Sequence, residues 1–200
     1  MEDGSYSETP TIRPGLPRHA RTDMLRREPN PMDQSMWHVA QMNIGTLRYL
    51  TDDPRIAEFM NQLDSVNALA DAAPGFVWRL QSAQGNATDI LVSDNPFFLV
   101  NMSVWQDVES LFDFVYRTSH RLVMAKRREW FERPEGAYQV LWWIPAGSIP
   151  TPLEGLQRLL HLERNGPSPH AFTFRQKYPP PGGTQLPEDL QPQPYCVGWT

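Results

Sequence analysis

The chain has 200 residues, 40% of them hydrophobic, which suits one domain of ordinary size or one domain with tails. A formal charge of −5, with no basic face interleaved with aromatics, argues against a nucleic-acid binder. There is no run of 18 apolar residues to span a membrane, and the single cysteine, Cys196, cannot close an internal disulfide, as expected in a reducing compartment.

Residues 1–35 hold five prolines and almost no periodic apolar pattern, so a flexible arm is expected. They also lack the apolar stretch of a signal peptide, and the expected location is cytoplasmic. The first strand is predicted over Trp37 to Ile44, with Trp37, Val39, Gln41 and Asn43 on one face and His38, Ala40, Met42 and Ile44 on the other. Asp53-Pro54 opens a helix, with Asp as N-cap and Pro where its missing N–H costs nothing. Ile56, Phe59, Met60, Leu63, Val66 and Ala70 then follow the rhythm of one buried stripe, and Pro74-Gly75 stops it. Phe76 to Leu80 reads as a second strand, with Asn86 to Val92 either extending it across a turn or forming a loop.

Phe98 to Trp105 reads as a third strand. Phe98, Val100, Met102 and Val104 make an apolar face suited to a covering helix, and Leu99, Asn101, Ser103 and Trp105 make a mixed face suited to a pocket. After Gln106-Asp107 a single long helix is predicted from Val108 to about Phe131, burying Val108, Leu111, Phe112, Val115, Ser119 and Leu122. Its basic run, Lys126-Arg127-Arg128, is expected to be a solvated face. Tyr138 to Ile144 reads as a fourth strand. Thr151-Pro-Leu-Glu154 is a capping box, in which Glu154 reaches back to the Thr151 amide, and the helix it opens stops at Asn165-Gly166. Phe172-Thr-Phe174 is a candidate edge strand, and residues 175–200 form a proline-rich tail that is either mobile or docked through its aromatic end. The globular domain is therefore expected over 36–174.

This order is the split βαβ pattern of a ferredoxin-like α+β domain with an extra C-terminal helix. An open sheet with helices on one face needs a cover for the other, here the face carrying Trp105 and either Trp142 or Trp143. A second copy of the chain is the simplest cover.

The segments Trp37-His-Val-Ala-Gln-Met-Asn-Ile44, Pro74-Gly-Phe-Val-Trp-Arg79, Asn101-Met-Ser-Val-Trp105 and Tyr116-Arg-Thr-Ser-His120 resemble an uncharacterised family of the dimeric α/β-barrel superfamily. Leu141-Trp-Trp-Ile-Pro-Ala-Gly147 extends the resemblance through the globular part. More distantly, Thr118-x-His120 is similar to the Ser-x-His signature of antibiotic-biosynthesis monooxygenases, with Val115 where the fuller signature has another histidine. The resemblance implies a homodimer with a substrate pocket between sheet and helices. It also implies either cofactor-independent oxidation of phenolic or polyketide-like molecules, cyclisation, or haem binding.

His120 lies on the flank of its helix beside Tyr116, Val123 and Arg127, where it is either a general base near neutral pH or a half-exposed helix histidine. Gln41, Asn43, Asn101 and Ser103 form either a polar inner face that polarises a substrate oxygen or a satisfied internal network. Arg79 is a candidate partner for a substrate anion, and Trp78, Trp105 and Tyr116 are candidate walls. No zinc-ligand spacing, phosphate loop or nucleophile elbow occurs. The expected function is a small-molecule monooxygenase or cyclase/isomerase with His120, Asn101 and Asn43 as its catalytic groups and no cofactor. The alternative is a non-catalytic dimer that binds a small ligand or haem.

Overall fold

The computed structural model describes residues 36–182, apart from Ser119 and the side chains at positions 119–122. The expected N-terminal arm and Cys196 lie outside the described residues. Strand β1, Trp37–Thr46, is central and pairs antiparallel with both β3, Phe98–Trp105, and β4, Gln139–Pro145. The short β2, Phe76–Arg79, pairs with the outer edge of β3, so the sheet order is β2-β3-β1-β4. Helix α1, Ala57–Asp71, joins β1 to β2. Helices α2, Val108–Arg117, and α3, His120–Trp130, join β3 to β4, and α4, Pro152–Asn165, follows β4. Residues 86–92 form a loop, and Phe172 makes only an isolated bridge to Leu141. The fold is α+β, built on a four-stranded antiparallel sheet.

The alternation along β1 and β3 divides the sheet as the pattern predicts, but helices cover both faces. On one side Val39, Trp105 and Leu141 pack against Ala70 of α1 and Leu111, Phe114 and Val115 of α2. On the other, Ala40, Met42, Val104, Val140 and Trp142 pack against Leu159 and Leu162 of α4. Trp105 is 1% exposed and stacks on Phe114 with ring centroids 5.1 Å apart. The expectation that helices lie on only one face of the sheet is corrected: α1 and α2 cover this face too. Trp143 is the tryptophan that shares a face with Trp105, since both flank Val39 in register. Trp142 points to the α4 side and donates from its indole Nε1 to Glu154 at 3.0 Å.

Glu154 thus does not act as the reciprocal half of a capping box. The Thr151 hydroxyl does accept from the Glu154 amide at 3.2 Å, but the Glu154 carboxylate takes Trp142 and Arg158 instead. A buried indole N–H needs an acceptor more than a solvated amide does, and Glu154 lies within reach of it. Gly155, next in sequence, lets α4 sit directly on Met42; a Cβ at that position would stand 2.8 Å from the Met42 sulfur.

The single helix expected over 108–131 is two helices. Thr118 is extended (φ −102°, ψ −179°) and its hydroxyl donates to the Phe114 carbonyl at 2.6 Å, occupying an acceptor near the end of α2. Asp107, in the turn expected before the helix, caps the start of α2, accepting from the Ser110 amide at 2.7 Å. Within α2 the buried apolar residues include Phe114, while Phe112 is only half-buried. Beyond the expected boundary at Phe174 the chain stays docked, for the Tyr178 carbonyl accepts from Trp143 Nε1 at 2.8 Å and its hydroxyl donates to the Pro167 carbonyl.

Candidate functional site

A cavity of about 210 Å³ lies between the mixed face of the sheet and helices α1, α2 and α3. Its floor follows from strand register. Asn43 sits between Asn101 and Gln139, and one step along, Gln41 sits between Ser103 and Leu141. Alternation puts all these side chains on one surface, so three adjacent strands present an amide row. The roof is largely apolar, including Leu63 and Val66 of α1, Leu111 and Phe114 of α2, and Val123 and Trp130 of α3. At Gly45 the ring of Phe131 closes over the strand, with its Cδ1 only 2.7 Å from where a Cβ would stand. Any side chain there would displace that wall.

The polar floor is uneven in how its groups are satisfied. Ser103, 8% exposed, accepts from the Trp105 indole Nε1 at 2.9 Å, so the tryptophan wall and the hydroxyl hold each other in place. Gln41, 5% exposed, donates through Nε2 to Asn43 Oδ1 at 3.3 Å, a long bond. Its Oε1 is buried and accepts no hydrogen bond from the described residues. Asn101 is exposed and Asn43 half-buried, which puts the open side of the cavity at this end of the amide row.

Seven of the residues singled out in the sequence therefore line one cavity: Gln41, Asn43, Asn101, Ser103, Trp105, Arg79 and Tyr116. Three need comment. Arg79 is held by other groups, donating to both Asp71 carboxylate oxygens at 2.8 and 3.2 Å and to the Gly85 carbonyl at 2.6 Å. Its guanidinium fastens β2 to the end of α1 and the following loop, where the sequence reading had it facing a substrate anion. Trp78 is no wall of the cavity. Its register shifts against β3 between Phe76 and Trp78, so that Phe76 pairs with Trp105 but Trp78 pairs with Val104. This bulge turns Trp78 to the α4 side, where it packs with the apolar core. His120 opens α3, but its side chain lies outside the described residues.

The residue that sequence reasoning missed is Arg127. In the run Lys126-Arg127-Arg128 the two outer residues are exposed, whereas Arg127 is 9% exposed and lines the cavity. Its guanidinium lies over the Tyr138 ring, 4.8 Å from the centroid. Burial pushes its pKa below the ordinary arginine value, while Tyr138 and Tyr116 act in the opposite direction. The signal was helical phase: Arg127 follows Val123 by four residues and precedes Trp130 by three, and both neighbours line the cavity. Charge composition suggested solvent; periodicity pointed inward.

These features define an α+β domain with a partly open, amide-floored cavity. The chain belongs to the family described as a domain of unknown function, DUF3291, whose model matches residues 38–188. Among solved structures it is similar to a protein of unknown function from Nitrosomonas europaea, at 14% identity over 59% of this chain and 97% of that one, with a TM-score of 0.37. It is also similar to a conserved protein from Methanosarcina mazei Go1, at 18% identity over 56% and 94%, with a TM-score of 0.37. No curated protein matches it. Among the described residues no helix is long and apolar enough to cross a membrane, and no cluster of three or more His, Cys, Asp or Glu side chains is arranged to hold a metal.

Proposed function

We propose that the protein is a small-molecule enzyme with a ferredoxin-like, dimeric α/β-barrel architecture. It acts without a cofactor, as a monooxygenase or a cyclase/isomerase, on a small aromatic or polyketide-like substrate in the cytoplasm. The observation that carries this is the cavity between the amide-bearing sheet face and the helices, because a buried polar floor under an apolar roof is how a site orients a mostly apolar ligand. Asn43 and Asn101 then hold or polarise a substrate oxygen, Trp105 walls the ring, and His120, at the start of α3 on the same helical layer, moves the proton. Haem is the less favoured ligand. The cavity is smaller than the roughly 300–1,000 Å³ of drug-sized sites, and a tetrapyrrole is larger than most such ligands.

One observation favours a second reading, a non-catalytic ligand-binding dimer. Among the described lining residues there is no carboxylate or imidazole to act as a base, so the chemistry rests on His120 alone. A thermal-shift screen of small phenols and cyclic ketones, followed by oxygen uptake and mass spectrometry on the hits, separates the two. Turnover that is lost in His120→Ala while binding persists supports the enzyme. Binding without conversion in the wild type refutes it and leaves the binding dimer.

A further inference from the structure

We infer that the cavity recognises a small organic acid, with the carboxylate anchored by Arg127 and a hydroxyl or N–H of the same molecule donated to Gln41 Oε1. The inference rests on the small-molecule reading of the site and specifies its ligand class.

Three observations lead there. Arg127 carries its charge into a largely desolvated position, lining the cavity and lying over the Tyr138 ring at 4.8 Å. A guanidinium in such a place is unusually effective at binding a planar anion, because its fork of N–H donors matches a carboxylate and little bulk water competes. The Tyr138 ring, 4.8 Å from the guanidinium carbon, restrains the fork before a ligand arrives, so less freedom is lost on binding. The second observation is that the other arginine of the cavity, Arg79, is held by Asp71 and Gly85 and serves the fold. The third is independent of charge. Gln41 Oε1 is a buried acceptor that receives no hydrogen bond from the described residues, and it stands on the floor of the same cavity. A buried carbonyl oxygen of this kind calls for a donor.

An anion anchor, a donor-seeking oxygen and an apolar roof of Leu63, Val66, Leu111 and Phe114 together describe the ligand. It is a compact body, flat or alicyclic, with an acid group at one end and a donor elsewhere. The cavity of about 210 Å³ limits it to roughly the size of a single substituted ring.

The test uses the full-length protein and a matched set of probes: 3-hydroxybenzoate, 3-hydroxybenzamide and benzoate, with affinities read by calorimetry or ligand-observed NMR. The wild type should bind 3-hydroxybenzoate about tenfold or more tighter than the neutral amide, since only the first makes a charge-assisted pair. It should also bind 3-hydroxybenzoate tighter than benzoate, which lacks the donor. Arg127→Gln should abolish the preference for acid over amide, and Arg127→Lys should keep part of it. If Arg127→Gln fails to fold, the comparison of probes on the wild type still decides the matter. Equal affinity for acid and amide in the wild type, or an unchanged preference in a folded Arg127→Gln, overturns the acid assignment and leaves the small-molecule site standing. If none of the three probes binds, the acid assignment falls; if the wider screen of neutral phenols and ketones is also empty, the small-molecule site falls with it.

Discussion

Replacing Gln41 by methionine should make the protein more stable and worse at binding. Gln41 is 5% exposed, and its Oε1 is a buried acceptor with no donor among the described residues. Such a group costs about 1–3 kcal/mol in the folded state. Its one hydrogen bond, Nε2 to Asn43 Oδ1, is long at 3.3 Å, and belongs at the lower end of the roughly 0.5–1.5 kcal/mol such bonds contribute. Methionine has a similar length and an adaptable thioether, so the packing cost should stay below about 1 kcal/mol. The net is a gain on the order of 1 kcal/mol, about 2–4 °C in Tm for a domain of this size. Equilibrium urea unfolding, followed by tryptophan fluorescence with the m-value held as a check, measures it. The same variant should lose affinity for any ligand that donates to Gln41. A Gln41→Met protein less stable than wild type by more than about 1 kcal/mol would refute this reasoning, because Gln41 would then be an internally satisfied structural group.

Two further expectations concern parts of the fold away from the cavity. Gly155→Ala sets two effects against each other: better helix propensity, worth up to about 1 kcal/mol, and a new methyl in the space of Met42, typically costing about 1–3 kcal/mol. Because Met42 is fully buried, with its sulfur 2.8 Å from the new atom, a net loss of about 1–2 kcal/mol is expected in urea unfolding, with ligand affinity unchanged. A stabilised Gly155→Ala would mean that α4 is not pressed on the sheet as described. The second concerns acid. Arg55 beside Asp53 holds that carboxyl down at about 2, from a usual value of 3.8. The charged form therefore contributes stability that is fully present above 3.8 and is lost as pH falls through about 2. Asp53→Asn should be less stable than wild type at neutral pH, and the gap should close on acidification across that window, as read from urea midpoints; a gap independent of pH would rule the ion pair out as its source.

Much of the element map was legible because it depends on contacts close in sequence. The helix start after Gln106-Asp107, the cap at Thr151, the stop at Gly166 and the whole of β3 are written in neighbouring residues, and the structure has them where the pattern puts them. The row Gln41, Asn43, Asn101 and Ser103 was legible too, since strand alternation alone assigns them to one face of each strand. Other features were not. Nothing local to Phe76-Val-Trp78 announces the bulge that turns Trp78 away from the cavity, because it arises from how β2 meets β3. Arg79 read as available until the fold brought Asp71 and the Gly85 carbonyl to it.

By itself, then, the sequence determined the order of the strands and, but for the break at Thr118, of the helices between them, the two-faced character of the sheet and the amide row. These follow from periodicity and from backbone groups that must be capped within a few residues. Only the tertiary structure decided which helices lie on which face, that α2 packs over Trp105, and that the middle arginine of a basic run turns inward onto Tyr138. The physical reason is distance along the chain: the layers are chosen by contacts between residues such as Trp105 and Phe114, or Arg127 and Tyr138, whose meeting depends on how separate elements pack. Burial of a charge is likewise a property of its neighbours in space, and composition averaged along the chain does not record it.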